Sequence, residues 1–307
     1  MSAAPALTAY LAADGYLKQL LDDLRACGHA APQVYGRLAL TEGPPVQAPW
    51  AQNVWFDAQR IPIASIGDAA RRLRGMQRNW AGYAFHLHRR MALIEEKLPR
   101  FKPKPLVFPA ATPAAPLGSW TLLDKSTLLA APRCASPFRH CEAAFVEDKR
   151  APPNRAYLKL WEALTLAGRH PAPGERCLDL GASPGGWTWA LQGLGARVLA
   201  VDKARLDPRI AALPGVETRA VSAFALDPRA EAPFDWLFSD VVCYPKRLLG
   251  LVRAWMEAGG ARNFVCTLKF QGATEHEAAR DFLAIPGSRL LHLHHNKHEL
   301  TWMRLET

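Results

Sequence analysis

The run Cys177-Leu-Asp-Leu-Gly-Ala-Ser-Pro-Gly-Gly-Trp187 carries the residue types from which a nucleotide-type site is built. A strand-like stretch, Arg176 to Leu180, enters a loop containing Gly181, Ser183, Pro184, Gly185 and Gly186, and a helical pattern follows from Trp187 to Leu194. At such a corner glycines let the backbone approach a ligand, and the N–H groups of the helix face it. The dinucleotide fingerprint Gly-x-Gly-x-x-Gly is absent, because Ser183 stands at the middle position and Pro184 follows. Arg197-Val-Leu-Ala-Val-Asp202 then reads as the next strand with a carboxylate at its end. It lies 21 residues after Gly181, close to the separation expected of the acid that binds ribose hydroxyls in a βαβ unit. Alone, the loop is a turn and Asp202 a cap; together they favour a ribose-bearing ligand.

Asp179-Leu-Gly-Ala-Ser-Pro-Gly-Gly-Trp-Thr188 resembles the cofactor loop of the FtsJ-like RNA ribose 2′-O-methyltransferases, and the resemblance runs over about 150–307. It implies S-adenosylmethionine as cofactor, held by Asp179, Gly181, Ala182, Ser183, Pro184, Gly185, Gly186, Trp187 and Asp202, with no metal. Asn154-Arg-Ala-Tyr-Leu-Lys159-Leu is similar to the family's Ser-Arg-x-x-x-Lys-Leu helix, with Asn154 in place of serine. Phe234-Asp-Trp-Leu-Phe-Ser-Asp240 is similar to the strand that carries the family's catalytic Asp, and Phe264-Val-Cys-Thr-Leu-Lys269 to the strand that carries its second Lys. His295-Asn-Lys-His-Glu299 resembles the last hairpin, which bears the Glu. The implied catalytic set is Lys159, Asp240, Lys269 and Glu299. Where family members place an adenine-binding Asp after the third strand, this chain has Ser222; Asp227, five residues on, is the other candidate. The nearest subtype is the bacterial large-subunit ribosomal RNA enzyme with a THUMP-like N-terminal domain.

These side chains need a scaffold. Strands are predicted at 176–181, 197–202, 216–221, 234–239, 263–269, 288–295 and 299–305, with helices between most of them. Such alternation implies an α/β fold with a mostly parallel, Rossmann-like sheet, and the near-contiguous last two strands imply a hairpin with the final strand antiparallel. The resemblance implies the order 3-2-1-4-5-7-6. Open α/β sheets bind ligands at the carboxyl ends of their parallel strands. Asp240 and Lys269 end two such strands, while Glu299 begins one that runs the other way, so all three reach the same rim. Lys159, on a helix ahead of the sheet, reaches it too. In the implied reaction Lys269 deprotonates a ribose 2′-hydroxyl or holds it as an incipient alkoxide. A lysine does so near neutral pH only where burial or a neighbouring cation favours its neutral form, and Lys159 is the candidate cation. Asp240 orients Lys269, and Glu299 positions Lys159 or the ribose. Trp161, Trp187 and Trp189 read as core packing.

The first hundred residues suggest a smaller α+β domain, 1–102, with a helix at Tyr16–Cys27, strands near 35–40 and 60–66, and helices at Ile66–Met76 and Ala81–Leu98. Residues 103–150 read as a proline-rich linker followed by a hairpin at Trp120–Ala131, and 151–307 as the methyltransferase domain. Between 66 and 104 stand ten basic residues, among them Arg71, Arg72, Arg74 and Arg78, against three acids, with Trp80, Tyr83 and Phe85 interleaved. With a net charge of +10, this mix suits phosphate contact and base stacking, and equally suits a solvated helix face over a core. The six cysteines include no Cys-x-x-Cys pair, so neither zinc nor disulfides are expected, and a reducing compartment is. Met1–Gly15 lacks the marks of a signal peptide and no run is long enough to span a membrane, so a cytoplasmic chain is expected, with a monomer favoured. An RNA 2′-O-methyltransferase, with ribosomal RNA as substrate, leads. A methyltransferase for a non-RNA substrate leaves the basic N-terminal half unexplained. A non-catalytic RNA-binding protein with a vestigial SAM fold leaves the intact charged set unexplained.

Overall fold

The computed structural model describes residues 6–231 and 233–306; residues 1–5 of the stretch examined for a signal peptide lie outside them. The chain divides into two compact units, Met1–Pro105 with Thr112–Ala144, and Leu106–Ala111 with Phe145–Thr307.

The first unit contains β1 (Leu7–Ala12), α1 (Leu17–Ala26), β2 (Gln33–Tyr35), β3 (Leu38–Glu42), β4 (Ala51–Pro62), α2 (Ile66–Met76), β5 (Trp80–Gly82), α3 (His88–Glu95), β6 (Gly118–Leu122), β7 (Thr127–Ala131) and β8 (Arg133–Cys134). Its sheet has the order β2-β3-β1-β4-β7-β6-β5, with β8 also on β4. The segment 103–150 is divided: the expected hairpin, β6 and β7, pairs with β4 inside this sheet, whereas Leu106 bridges to Phe145 in the other unit. The helix expected at 81–98 is shorter. Trp80–Gly82 instead pairs in parallel with Gly118–Trp120, and a Cβ on Gly82 would meet Glu95 Oε1 at 2.6 Å and the Trp120 ring at 3.2 Å. Trp80 is 5% exposed and donates its indole N–H to Leu73 O. It therefore belongs to the core under α2 and α3 and is not open to a base. Arg71, Arg72 and Arg74 stay on the exposed face of α2, the first two held by Asp68.

The second unit contains α4 (Tyr157–Ala167), β9 (Arg176–Leu180), α5 (Gly186–Gly193), β10 (Arg197–Val201), α6 (Pro208–Ala211), β11 (Val216–Arg219), β12 (Phe234–Ser239), α7 (Pro245–Glu257), β13 (Ala261–Lys269), α8 (His276–Leu283), β14 (Ser288–Leu291) and β15 (Glu299–Arg304). The sheet order is β11-β10-β9-β12-β13-β15-β14, the order 3-2-1-4-5-7-6 that was expected. Only β15 runs antiparallel to its neighbours, on both of its sides. Strands buried on both faces are largely apolar, and Leu178, Leu180, Trp236, Leu237, Phe238, Phe264, Val265 and Cys266 are all at or near zero exposure. The strand sequence moves outward from β9 in one direction and from β12 in the other. Right-handed crossovers then put α5 and α7 on opposite faces, and the order reverses between β9 and β12, where such sheets bind ligands. No described helix is long and apolar enough to cross a membrane.

Candidate active site

Helix α4 is buried along nearly its whole length, as its apolar composition requires. Its two charged residues, Lys159 and Glu162, are 9% and 2% exposed, so each needs partners. Lys159 Nζ donates to Asp240 Oδ1 at 2.8 Å and to Glu299 Oε1 at 3.0 Å. Lys269 Nζ donates to the backbone oxygen of Asp240 at 2.6 Å and lies 3.2 Å from the same Oδ1. Two ammonium groups thus share one carboxylate oxygen. Glu299 is opposite Lys269 in the β13–β15 register, which is how an antiparallel strand delivers its first residue to the rim where its neighbour ends. Burial disfavours the Lys159 cation, but the charges and hydrogen bonds of Asp240 and Glu299 outweigh it, and the net direction of its pKa is up. Lys159 is accordingly a fixed cation.

The glycine loop sits against the same corner. Gly181 has φ +78°, and a Cβ there would lie 2.6 Å from Val241 Cα and 2.8 Å from Val241 N. Its missing side chain makes room for the backbone that leaves Asp240. A Cβ on Gly186 would lie 2.2 Å from Asn154 Oδ1, the oxygen that accepts the Ala156 N–H just ahead of α4. Both glycines thus serve close approach of the protein's own chain, where the sequence pattern suggested approach to a ligand.

A cavity of about 370 Å³ opens over the carboxyl ends of the strands, lined by Gly181, Ser183, Asp202, Ser222, Asp240 and Lys269 among others. Asp202 Oδ2 accepts the Ser183 N–H at 3.0 Å and Oδ1 the Ala204 N–H at 2.9 Å, so the acid also shapes the loop. Ser222 Oγ accepts the Phe224 N–H at 3.3 Å. Asp227 is not among the lining residues; its Oδ1 accepts the Arg229 N–H instead. Ala182 and Trp187 are buried, and the Trp187 indole donates to Ala156 O at 2.9 Å. Neither they nor Pro184, Gly185 and Gly186 line the cavity, so the structure gives them the loop's architecture and leaves Gly181, Ser183, Asp202 and Ser222 facing the space.

Asp179 lies beneath the loop, wholly buried. Its Oδ2 accepts from Thr188 Oγ1 at 2.7 Å, while Oδ1 has no partner. Burial pushes its pKa up to about 7, with the charges of Asp240 and Asp202 adding to the rise and the Thr188 hydroxyl opposing it. Ser183, Asp202 and Ser222 present hydrogen-bonding groups to the cavity, as a ribose-bearing ligand needs, and Asp179 Oδ1 beneath the loop is an orphaned buried acceptor. The cavity also falls within the size range of small-molecule sites. The residues present therefore fit S-adenosylmethionine.

Sequence reasoning missed Glu162. It accepts the N–H groups of His294 and His295, at 2.8 and 3.1 Å, and the His295 Nδ1 at 2.7 Å. One turn of α4 thus carries both Lys159, bound to Glu299, and Glu162, bound to the connection that leads into it. The available signal was a lone acid in an otherwise apolar helix. Among the described residues no group of three or more His, Cys, Asp or Glu side chains is arranged to hold a metal ion.

Residues 152–271 match the family model described as FtsJ-like methyltransferase. Over those residues this chain is similar to the FtsJ-like methyltransferases. A protein named ribosomal RNA large subunit methyltransferase M from Halorhodospira halophila (strain DSM 244 / SL1) is 39% identical over 160 residues, covering 50% of this chain and 47% of that one. A protein of the same name from Aromatoleum aromaticum (strain DSM 19018 / LMG 30748 / EbN1) is 34% identical over 164 residues, covering 48% and 44%. The chain spans about half the length of the curated relatives it matches. Among solved structures, TrmN from Thermus thermophilus aligns over 98% of this chain and 99% of its own, at 14% identity and a TM-score of 0.39.

Proposed function

We propose that this FtsJ-like chain is an RNA ribose 2′-O-methyltransferase that uses S-adenosylmethionine and acts on large-subunit ribosomal RNA in the cytoplasm. The observation that carries the reading is the shared Asp240 Oδ1, with Lys159 at 2.8 Å and Lys269 at 3.2 Å, at the edge of a cavity over the strand ends. The names of the relatives supply the substrate class. The exposed arginines of α2 supply a surface suited to phosphate.

Gly181, Ser183, Asp202 and Ser222 would hold the cosubstrate. When bound, S-adenosylmethionine supplies a methyl group activated on a sulfonium. The chain supplies the rest. A ribose 2′-hydroxyl is a weak nucleophile until its proton is removed or its developing negative charge is met. Lys269, the lysine that lines the cavity, takes that proton at Nζ when its amine is neutral, or, as an ammonium, stabilises the oxygen by donating to it. Asp240 aims Lys269 through two acceptors, Oδ1 and its backbone oxygen. Lys159, kept charged by Asp240 and Glu299, holds the Asp240 carboxylate in place and adds fixed positive charge beside it. Glu299 fixes Lys159 from the other side. Positioned proton transfer contributes roughly 10²–10⁴-fold, and holding the reactants together contributes more.

The test is incubation of the chain with methyl-labelled S-adenosylmethionine and large-subunit ribosomal RNA, followed by nuclease digestion and nucleoside mass spectrometry. Label in a 2′-O-methylribonucleoside is expected. Label on a base, or in protein or small molecules only, would overturn the assignment.

A further inference from the structure

The chain turns outward immediately after Asp240. Val242 is 72% exposed and Tyr244 57% exposed, with Cys243 buried between them. This alternation presents positions 242 and 244 to solvent together. Among the described residues of the second unit, the other exposed large hydrophobics are Val107 and Val146. Half of that set therefore lies within four residues of the candidate catalytic carboxylate. Val242 itself lines the cavity. Two and four residues of chain span at most about 7 and 14 Å, the scale of one nucleotide.

The charge around this pair is suited to an anion. Lys203, Arg247 and Lys269 line the same cavity, and Arg247 holds its guanidinium 3.8 Å over the ring of Phe224, which lines it too. The two lining acids are already engaged: Asp202 by backbone N–H groups and Asp240 by the lysines. Two side chains offer far less area than the roughly 800 Å² per partner of a stable protein interface. Exposed aromatic and aliphatic surface beside cations is instead what single-stranded nucleic acid uses, a base resting on the apolar group and phosphates on the cations.

We propose that Val242 and Tyr244 form the platform on which the base of the target nucleotide in a single-stranded RNA rests, with its ribose beside Asp240 and Lys269. The inference rests on the methyltransferase reading and adds to it the residues that seat the base. The experiment compares binding of two probes to the full chain in low salt. One is a dodecamer of uridylate, and the other is the same ribose-phosphate backbone with hydrogen in place of every base. Wild type, Tyr244→Ala, Tyr244→Phe and Val242→Ser are measured by fluorescence anisotropy, with circular dichroism to confirm folding. Stacking on one residue predicts that Tyr244→Ala weakens binding of the uridylate probe roughly five- to a hundred-fold. Tyr244→Phe should bind as wild type does, Val242→Ser should fall between, and the baseless probe should bind all four chains alike.

Equal weakening for both probes would overturn the platform, since the loss would then not involve the base. No binding of either probe by wild type would overturn it as well. A concentration-dependent dimer in wild type that Tyr244→Ala abolishes would overturn it by giving the patch to a second copy. The reaction is scored separately: base-dependent binding through Tyr244 without any methyl transfer would support the platform while refuting the enzymology.

Discussion

Asp179 offers the most quantitative handle on this fold. Its carboxyl is wholly buried, one oxygen lacks a partner, and its pKa is pushed from the usual 3.8 to about 7. The sign follows from proton linkage. Between about pH 4 and 7 the unfolded chain has released this proton and the folded chain keeps it, so this group makes stability fall as pH rises, and the full penalty stands above pH 7. A rise of about 3 units, at 1.36 kcal/mol each, corresponds to about 4 kcal/mol. Asp179→Asn keeps the shape and an acceptor for Thr188 but cannot ionise. The variant should match wild type near pH 4 and exceed it by up to about 4 kcal/mol at pH 8, the difference growing by no more than about 1.4 kcal/mol per pH unit. His292 works in the opposite direction. Burial pulls its pKa down to about 4, so it costs stability as pH falls below its ordinary range and hides the Asp179 slope in wild type alone. The informative quantity is therefore the difference between the two proteins. Urea titrations at pH 4.5, 6, 7 and 8 measure it, read on the transition of the second unit. A difference that is flat with pH, or an Asn variant weaker than wild type at pH 8, would refute the reasoning.

Three further outcomes are expected. Lys159→Met leaves Asp240 and Glu299 without their shared cation in a largely buried site and should cost about 3–5 kcal/mol; adding Asp240→Asn and Glu299→Gln should recover much of it, and a single-variant loss near zero in urea titration would contradict the geometry. Glu162→Gln removes a charged acceptor from the His294 and His295 N–H groups, worth about 1.5–3 kcal/mol. Hydrogen exchange of those two amides should accelerate, and unchanged protection would dismiss Glu162 as the clamp on this connection. Replacing Arg71, Arg72 and Arg74 together should raise KM for RNA more than it lowers kcat and flatten the salt dependence of binding; a fall in kcat alone would place α2 outside recognition.

The second unit was legible because its signals are local. Each central strand is an apolar run closed by a charge or a glycine, and each of Asp202, Asp240 and Lys269 stands at or just past such an end. A topological argument therefore brings Asp240, Lys269 and Glu299 to one rim, the resemblance adds Lys159, and the structure brings all four together. Less was legible where the cause is non-local. Trp80–Gly82 pairs with a segment nearly forty residues away, about 38 by the register, and nothing in its own pattern marks a strand. Gly181 stands out in the sequence as a loop glycine, yet the backbone that crowds it, at Val241, lies in another strand's exit. Glu162 is the one acid of α4, and its partners come from the connection before β15, which its own helix does not foretell.

The central claim is that Lys269 acts on the substrate hydroxyl while the cosubstrate is held by other residues. Single-turnover methyl transfer to RNA by wild type and Lys269→Ala, with S-adenosylmethionine affinity measured by calorimetry on the same samples, tests it most directly. The account predicts a rate loss of about 10²-fold or more at unchanged cosubstrate affinity. A variant that still transfers methyl at the wild-type rate, or one that stays folded but no longer binds S-adenosylmethionine, would contradict it.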